Sequence, residues 1–450
     1  MSAPWFCLTT LYALSWASPP PPGPPIETLE NPSAQVLTLE AAVQRATQET
    51  QRSKLTQEQE IIAQAATTKA RAFFFPTLRV AGNYTHRAFE TINETGGRRA
   101  TIQAKNALFA TANIQWTLLD IRGIPLYRAA FSTREAGQLE ARNQRRLNGM
   151  EAADAFLQTL TAQSVEEAAR HRIELAEKNL SVATSLHNAG LVSLNDITRA
   201  KLEKANAETS LETAVGVTLT TKLRLATLLD LEWGADYQLL SPEGFLHNAE
   251  NQKPLAEQPP IEEVLENRLD FLALEQQAQA AKFLAQEPWM RLLPTLSLIG
   301  QGRLTNETGL NNRKWDGSVG LELSWTLFDG GLRYGDWREK RAQAQIASIQ
   351  TELQRRQIRA DLQIAFQNMH IAQTTLSQAK ATLALAEQNI QETTTLYHQG
   401  LTTALQLLDA SVQKFEADVN FATQRYALGL ALVNLYSVAG MDALGRKVEL

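Results

Sequence analysis

The chain of 450 residues is poor in the residues and motifs that most enzymes and nucleic-acid-binding proteins need. It has one cysteine, Cys7, so the rest of the chain contains neither a disulfide nor a cysteine-ligated metal site. The six histidines are scattered, without metal-ligand spacing to Asp, Glu or another His. A net charge of −5 with intermingled signs excludes a basic stripe for nucleic acid. Phosphate loops, nucleophile elbows and zincin motifs are missing, so we expect no enzyme, no metal and no cofactor.

Long hydrophobic runs are also missing beyond the start of the chain. The most apolar later stretch, Tyr426 to Gly440, is about fifteen residues long and contains Asn434. It falls short of the roughly 18 to 20 apolar residues that a transmembrane helix needs. If this protein crosses a membrane, we therefore expect strands to do so.

The first residues have the composition of a secretory leader. Residues 1–17 are apolar and end in Ser15-Trp16-Ala17, which predicts a signal peptide cleaved after Ala17. The positively charged start of such a peptide is missing, so a misassigned start codon is the alternative. Residues 18–36 are predicted to form a proline-rich tether, because the run from Pro19 to Pro25 favours a stiff polyproline conformation.

The remaining chain repeats its own landmarks about 210 residues later. A repeat of this length predicts two copies of one structural unit. We assign the first copy to residues 37–232, a connector to 233–260, the second copy to 261–442 and a C-terminal tail to 443–450. The repeated pairs are Phe75-Pro76-Thr77-Leu78 with Leu293-Pro294-Thr295-Leu296, Trp116-Thr117-Leu118-Leu119-Asp120 with Trp325-Thr326-Leu327-Phe328-Asp329, and Gly190-Leu191 with Gly400-Leu401.

Each copy is predicted to begin with an amphipathic helix that ends before a proline, Leu39 to Phe74 and Ile261 to Met290. Two strands follow in each copy, because apolar and polar residues alternate there with a period of two. The predicted strands are 77–87 and 110–118 in the first copy, and 295–304 and 318–327 in the second. The segments between partner strands, 90–105 and 305–314, are predicted to be polar loops.

The apolar faces of these strands have the length of a tilted membrane strand. Tyr84, Trp116 and Trp325 are aromatic residues suited to a membrane interface. The alternative is an ordinary soluble hairpin packed on the helices.

Two later stretches, Pro125 to His187 and Leu332 to Tyr397, have no internal proline and almost no glycine. Each predicts a helix of order 95 Å, at about 1.5 Å per residue. Small apolar residues recur in steps of four and three, which is typical of a coiled-coil seam. The helices are predicted to end at Gly190 and Gly400. The chain then returns through antiparallel helices, 195–231 and 405–438.

This organisation predicts an α+β membrane protein with very long antiparallel helical hairpins and four strands per chain. Four strands leave two edges with unpaired backbone groups, which hydrocarbon does not tolerate. Several chains must then share one closed barrel. Two chains would supply eight strands, whose interior side chains fill, and three would supply twelve and leave a lumen. The residues by themselves leave the number of chains open.

The order and spacing of the landmarks resemble the TolC family of outer-membrane efflux and secretion channels over about residues 37–442. The resemblance implies a homotrimer with a twelve-stranded barrel in the outer membrane and a helical tunnel across the periplasm. It further implies docking to a periplasmic adaptor protein and an inner-membrane pump. The first copy departs from the family pattern at Leu119-Asp120-Ile121-Arg122-Gly123, where we expect a locally altered turn. The supporting segments are Leu37-Thr38-Leu39-Glu40-Ala41-Ala42, Glu266-Asn267-Arg268-Leu269-Asp270, the two Pro-Thr-Leu openings, Leu327-Phe328-Asp329-Gly330-Gly331 and the turn from Gly400 to Ala410.

The resemblance also implies roles for the turns that lie farthest from the strands. Gly190, Leu191, Gly400 and Leu401 are expected at the end that contacts the adaptor. Asp196 and Tyr397 fall at the positions of a carboxylate–phenol latch that closes the tunnel. The alternative readings are a helix N-terminal residue for Asp196 and a packed aromatic for Tyr397.

Two further positions are implied to ring the tunnel entrance. Asp409 matches the inner of two family aspartates. At the position of the outer aspartate this chain has Gln406, and at the position of an arginine that forms a second latch in the family it has Thr402. One acidic ring instead of two implies weaker cation selectivity and a looser closed state. The alternative for Asp409 is a solvated helix carboxylate.

The predicted function is a trimeric channel that serves as the exit duct of a multi-component efflux pump or type I secretion system. The alternative from another class is a structural coiled-coil protein of the cell envelope. It explains the long helices but neither the apolar strand faces nor the repeated glycine turns. The cargo is left open among drugs, metal ions, polypeptides and polysaccharides. The charged run from Arg338 to Arg341 is interpreted as a solvated helix face.

Overall fold

The computed structural model describes residues 35–95, 98–232, 237–252, 260–307 and 313–448. The predicted signal peptide, residues 18–34 of the predicted tether and residues 233–236 and 253–259 of the predicted connector lie outside the described residues. The helices are α1 Leu39–Gln48, α2 Gln51–Ala72, α3 Gly123–Asn188, α4 Leu194–Leu228, α5 Glu243–Glu250, α6 Ile261–Asn267, α7 Leu269–Leu284, α8 Glu287–Met290, α9 Leu332–His398 and α10 Ala404–Val438. The strands are β1 Gln35–Leu37, β2 Thr77–His86, β3 Thr91–Thr95, β4 Arg98–Gln103, β5 Asn106–Leu119, β6 Tyr237–Leu239, β7 Thr295–Thr305 and β8 Trp315–Ser324.

Two very long helical hairpins dominate the molecule, as predicted. Helices α3 and α9 contain 66 and 67 residues, which makes each about 100 Å long. Each packs along the 35-residue helix that follows it, α4 or α10. Alanines of the predicted seam, such as Ala169, Ala176 and Ala379, are almost fully buried. Their small side chains allow the close helix approach of a coiled coil.

The main hydrophobic core lies where short helices pack against the middle of the long hairpins. Phe156 and Leu157 of α3 are fully buried in one cluster with Leu225 of α4 and with residues of α1. A second cluster joins α9 and α10 through Ile358 and Leu432, with α6 and α7 alongside. The two hairpins are therefore held together at mid-length, and their far ends extend from this core.

Both amphipathic helices predicted at the start of the two copies are interrupted. The first breaks at Thr50, whose side chain accepts a hydrogen bond from Ser53 N at 3.3 Å, while Gln51 N donates to the Asp230 carboxylate at 2.5 Å. The second breaks at Arg268, which pairs with Asp270 at 2.6 Å and donates to Val438 O at 2.9 Å. At Thr50 the contact to Asp230 satisfies a backbone N–H that the break exposes, whereas the Arg268 side chain has no such role and binds the last turn of α10 instead.

Four strands form an antiparallel sheet in the order β2-β5-β7-β8. Helices α2, α3, α7 and α9 pack side by side in the same order. The sheet is therefore continued at one end by a layer of helices. Its outer strands are β2 and β8, and in the described part of the chain each pairs on one side only.

Three strand predictions need correction. The predicted loop 90–105 contains the hairpin β3–β4, where β-branched residues such as Ile92 and Ile102 favour extended backbone. Strand β8 ends at Ser324, so Trp325 and Leu327 lie outside it. Ser324 pairs with Thr295, the first residue of β7, and the preceding Pro294 has no backbone N–H with which to continue the pairing. The end of the predicted tether and part of the connector form the parallel pair β1–β6, with Gln35 opposite Tyr237. Of the predicted loop 305–314, Thr305 is the last residue of β7, β8 begins just after the loop at Trp315, and residues 308–312 lie outside the described residues.

Candidate functional site

The four-stranded sheet has one face that is apolar across all its strands. Strand register sets Leu78 opposite Ile114, Ile114 opposite Gly300, and Gly300 opposite Val319. Directly paired residues point to the same side of a sheet, so this row and the alternate rows beside it form one surface. The surface also holds Val80, Tyr84, Leu108, Ala110, Ala112, Trp116, Leu296, Leu298, Leu304, Trp315, Leu321 and Leu323.

This apolar face is exposed in the single chain. Leu78 is 69% exposed, Val80 71%, Val319 78% and Leu321 67%. A contiguous exposed surface of this kind marks a membrane or partner contact. The opposite face carries polar and charged side chains, including Arg79, Gln301 and Glu322 on the alternate rows. The predicted two-faced strands are confirmed.

The three predicted interface aromatics are exposed, and each has its polar atom hydrogen-bonded. Tyr84 donates to Asn106 Oδ1 at 2.9 Å. The indoles of Trp116 and Trp325 donate to Phe74 O and Leu292 O, both at 3.0 Å. Each tryptophan therefore fastens the end of a hairpin to the segment that leads into its first strand. Tyr84 and Trp116 lie on the apolar face, and Trp325 lies one residue beyond β8.

The strand-to-helix turn differs between the two halves of the chain, as predicted. Before α9, Gly330 and Gly331 have φ of +69° and +91°, a conformation that L-residues with side chains rarely adopt. Before α3, none of residues 120–123 has a positive φ, and the Arg122 guanidinium pairs bidentately with Asp120. Asp329 and Arg333 form a similar pair before α9, so the two turns differ in backbone conformation.

Both hairpins turn at the predicted glycines. Gly190 and Gly400 have φ of +72° and +71°. In each turn the residue after the glycine donates back to the helix, Leu191 N to Leu186 O and Leu401 N to Leu396 O, both at 2.9 Å. This is the Schellman arrangement, which requires a left-handed residue at the helix end. Leu191 and Leu401 are each 71% exposed, so the tips present apolar side chains outward.

Asp196 and Tyr397 lie on one small cavity of about 30 Å³ between the hairpin tips. Burial raises the pKa of the Tyr397 phenol, and the nearby Asp196 charge adds to the rise. Asp196 caps α4 by accepting from Ser193 N and Oγ at 3.1 Å. The Tyr397 hydroxyl is buried and has no hydrogen-bond partner among the described residues. The structure thus brings the two side chains together without a direct hydrogen bond, and the latch stays a prediction.

The two predicted ring positions differ in their surroundings. Gln406 Oε1 accepts from Thr403 N at 3.2 Å and from the Thr402 hydroxyl, so Gln406 completes the cap of α10. Asp409 is exposed one turn further along α10. Within the described ranges it forms no ion pair, so its charge faces solvent.

Comparison with known proteins finds the same architecture in outer-membrane channels. Residues 261–441 match the family model described as outer membrane efflux protein. Over 395 residues the chain is 23% identical to outer membrane protein TolC of Salmonella enteritidis, covering 83% of this chain and 75% of TolC. Among solved structures, VceC from Vibrio cholerae has a TM-score of 0.70 at 18% identity, covering 90% of this chain and 96% of VceC. The CmeC outer membrane channel of Campylobacter jejuni has a TM-score of 0.74 at 15% identity, covering 91% and 86%.

Residues 261–441 therefore match the outer membrane efflux protein family, and the chain is similar to TolC over most of its length. These similarities place the protein in the outer membrane, with its helical hairpins on the periplasmic side. In the described ranges no helix is long and apolar enough to cross a membrane. The same ranges contain no group of three or more His, Cys, Asp or Glu side chains that could hold a metal ion.

One buried cluster of charged and aromatic side chains was not predicted from the sequence. Arg172 of α3 pairs with Glu203 of α4 at 2.9 Å, with side chains only 11% and 7% exposed. The Arg172 guanidinium also lies over the Phe415 ring of α10, 4.6 Å from its centroid. One arginine therefore joins both hairpins, beside a cavity of about 470 Å³. The three residues lie in separate helices, so no sequence motif reports their contact.

Proposed function

We propose that three copies of this chain form one exit duct, with a shared twelve-stranded barrel and a continuous helical tunnel. The observation that carries the proposal is the sheet, whose exposed apolar face extends in register over four strands. Hydrocarbon tolerates such a face but not open strand edges. Because β2 and β8 run antiparallel to each other in the strand order, β8 of one copy can pair with β2 of the next.

Three copies suit a duct better than two. Eight strands would make a barrel filled by its own side chains, whereas twelve leave a lumen. The polar sheet face, with Arg79 and Glu322, would then line that lumen. Helices α2, α3, α7 and α9 follow the strand order, so they would continue the wall of the barrel as a tunnel. The two halves of the chain would act as duplicated units of this wall.

The duct is proposed to work with an inner-membrane pump and a periplasmic adaptor, as part of an efflux system or a type I secretion system. The exposed Leu191 and Leu401 at the hairpin tips support an adaptor contact there. The chain itself would perform no chemistry, and energy would come from the pump. A structural envelope protein without a channel would have no use for the exposed apolar sheet face.

Cysteine cross-linking between the two outer strands tests the shared barrel. We combine Arg79→Cys on β2 with Asp316→Cys, Ser318→Cys or Glu322→Cys on β8, because all four positions lie on the polar face. The chain's one cysteine, Cys7, is replaced by serine in every variant, so that background disulfides are excluded. We expect oxidation to give a covalent trimer that resists SDS in at least one combination, because paired strands bring facing Cα atoms within about 7 Å.

The matched control uses Val80→Cys, on the apolar face, with the same three partners. These pairs point to opposite sides of the sheet and should not cross-link. If no polar-face pair yields a covalent oligomer and the protein is extracted from cells without detergent, the shared barrel is wrong.

The proposed latch predicts that Tyr397→Phe and Asp196→Asn each raise single-channel conductance in planar bilayers. Tyr397→Phe removes only the hydroxyl, which has no partner among the described residues, so we expect little loss of stability from it. Thr403→Ala is the control, because it weakens the neighbouring α10 cap by about 1 kcal/mol, and the Thr403 hydroxyl contacts Gln406 and neither residue of the latch. Unchanged conductance in both latch variants, or an equal rise in Thr403→Ala, would count against the latch.

The proposed entrance ring predicts that Asp409→Ala lowers the permeability of cations relative to anions. Three copies of an exposed carboxylate in a narrow bore would attract cations, and alanine removes that charge. The reversal potential under a salt gradient measures the change. Asp409→Glu keeps the charge and should behave as wild type. A reversal potential unaltered by Asp409→Ala would contradict the proposed acidic ring.

A further inference from the structure

At the helical end of the sheet, α8 and the start of α9 carry a cluster of aromatic rings with arginines beside them. The rings of Trp289 and Trp337 lie 5.6 Å apart, and those of Tyr334 and Trp337 lie 5.9 Å apart. Arg338 lies 5.9 Å from the Tyr334 centroid, and Arg341 lies 5.2 Å from the Trp337 centroid. We call these five residues the headgroup patch. Trp289 is 48% exposed and Tyr334 is 57% exposed.

The two arginines of the headgroup patch differ from the other arginines at this junction. Arg291 pairs with Asp336, and Arg333 pairs with Asp329 at 2.6 Å. Arg338 and Arg341 are exposed and form no ion pair in the part of the chain that the structure describes. Their stacked guanidinium groups keep their N–H donors available for an anion. The patch therefore offers two unneutralised positive charges next to aromatic rings.

Helix geometry puts this patch on the side of the apolar sheet face. Leu332 lines one cavity with Thr295 and Ser324, both of which lie on the polar face. At about 100° per residue, Tyr334, Arg338 and Arg341 project roughly 180° to 240° away from Leu332 around α9. Arg338 and Arg341 lie about 9 and 14 Å along the helix from its first residue. Long arginine side chains reach several ångströms towards a membrane surface.

We propose that the headgroup patch binds the phosphate groups of anionic phospholipids in the membrane leaflet at the helical end of the sheet. The proposal rests on the proposed function, because it requires the apolar face to lie in lipid. Aromatic rings with polar edges favour the interface between hydrocarbon and water, and arginine pairs with phosphate in a bidentate, charge-assisted way. The run from Arg338 to Arg341 is then a lipid contact and not merely a solvated helix face.

The test measures phospholipid binding to the full-length trimer in a neutral detergent. Short-chain phosphatidylglycerol is titrated, and the shift in thermal unfolding gives an apparent Kd. We expect Arg338→Gln/Arg341→Gln to raise this Kd about 10- to 30-fold, since each basic residue near a lipid surface strengthens binding by a factor of about five. Arg355→Gln/Arg359→Gln is the matched control. It removes the same charge from the same helix, more than about 20 Å farther from the sheet, and should bind as wild type.

Two further arms identify the ligand. Inorganic phosphate at the same concentrations should give no shift, and a shift equal to that of the lipid would make the patch a free-phosphate site. An uncharged lipid with the same acyl chains should bind more weakly to wild type. Equal binding of phosphatidylglycerol to all three proteins would overturn the proposal while leaving the duct intact. A protein that is monomeric and needs no detergent would overturn the proposed function as well.

Discussion

Leu321→Arg is expected to abolish recovery of the protein as a membrane-extracted trimer. Leu321 lies in the middle of β8 on the apolar face, opposite Leu298, and is 67% exposed in the single chain. An arginine at the midplane of a bilayer costs about 2–4 kcal/mol in a membrane barrel. A trimer would contain three such arginines, and each would add this cost. Quantitative blotting of the detergent-extracted outer-membrane fraction, at equal expression, measures the effect.

The matched control for Leu321→Arg is Ser318→Arg. Ser318 lies three residues away on the same strand, but it pairs with Gln301 on the polar face. An arginine there would face the lumen and should leave trimer recovery close to wild type. The two variants differ only in the side of the sheet that carries the charge. Equal recovery of both would show that the apolar face does not lie in lipid.

Arg172→Met is expected to lower the stability of the tunnel by about 3–5 kcal/mol. The substitution leaves the Glu203 carboxylate, 7% exposed, without its cation. It also removes the stacking contact with Phe415, through which the first hairpin holds the second. Arg172 also donates to the Ser210 hydroxyl at 3.1 Å, but this hydroxyl keeps a partner in the variant because it donates to Asn206 O at 3.0 Å. Chemical unfolding of the purified protein, followed by helical circular dichroism, measures the loss.

The double variant Arg172→Met/Glu203→Leu should recover most of that loss. Replacing a buried ion pair by apolar side chains is often neutral, whereas removing one partner is costly. Arg356→Met is the surface control, because Arg356 and its partner Glu352 are 75% and 54% exposed and the loss of this pair should change stability by at most about 1 kcal/mol. A loss in Arg172→Met no larger than in Arg356→Met would mean that the buried pair does not hold the hairpins together.

Much of the candidate site could be predicted because its signals are local. Tyr84 and Trp116 stand at alternate positions of strands whose period of two is clear. Gly190 and Gly400 end helices at a backbone conformation that glycine adopts at no steric cost. The position of Asp196 three residues after Ser193 also follows a capping pattern. Its proximity to Tyr397 was implied only by family resemblance, because the two residues lie in different hairpins.

The predictions that failed concern places where distant segments compete with local pattern. The periodicity of residues 39–74 continues through Thr50, yet a new helix begins there, and the Asp230 carboxylate accepts a hydrogen bond from its first backbone N–H, that of Gln51. Residues after Ser324 keep alternating, yet the strand ends there because its neighbour β7 begins at Thr295, directly after Pro294. The hairpin β3–β4 lies in a stretch rich in polar residues, which composition alone assigns to a loop.

By itself the sequence determined the long helices, the two-faced strands and the glycine turns, because each depends on contacts within a few residues along the chain. Tertiary structure alone decided which strands are neighbours, which arginines are neutralised by carboxylates and which are left free, and where the hairpins are fastened together. These outcomes depend on which groups from distant segments meet, and on the cost of leaving a buried charge or backbone group without a partner. No periodicity in the chain encodes that information.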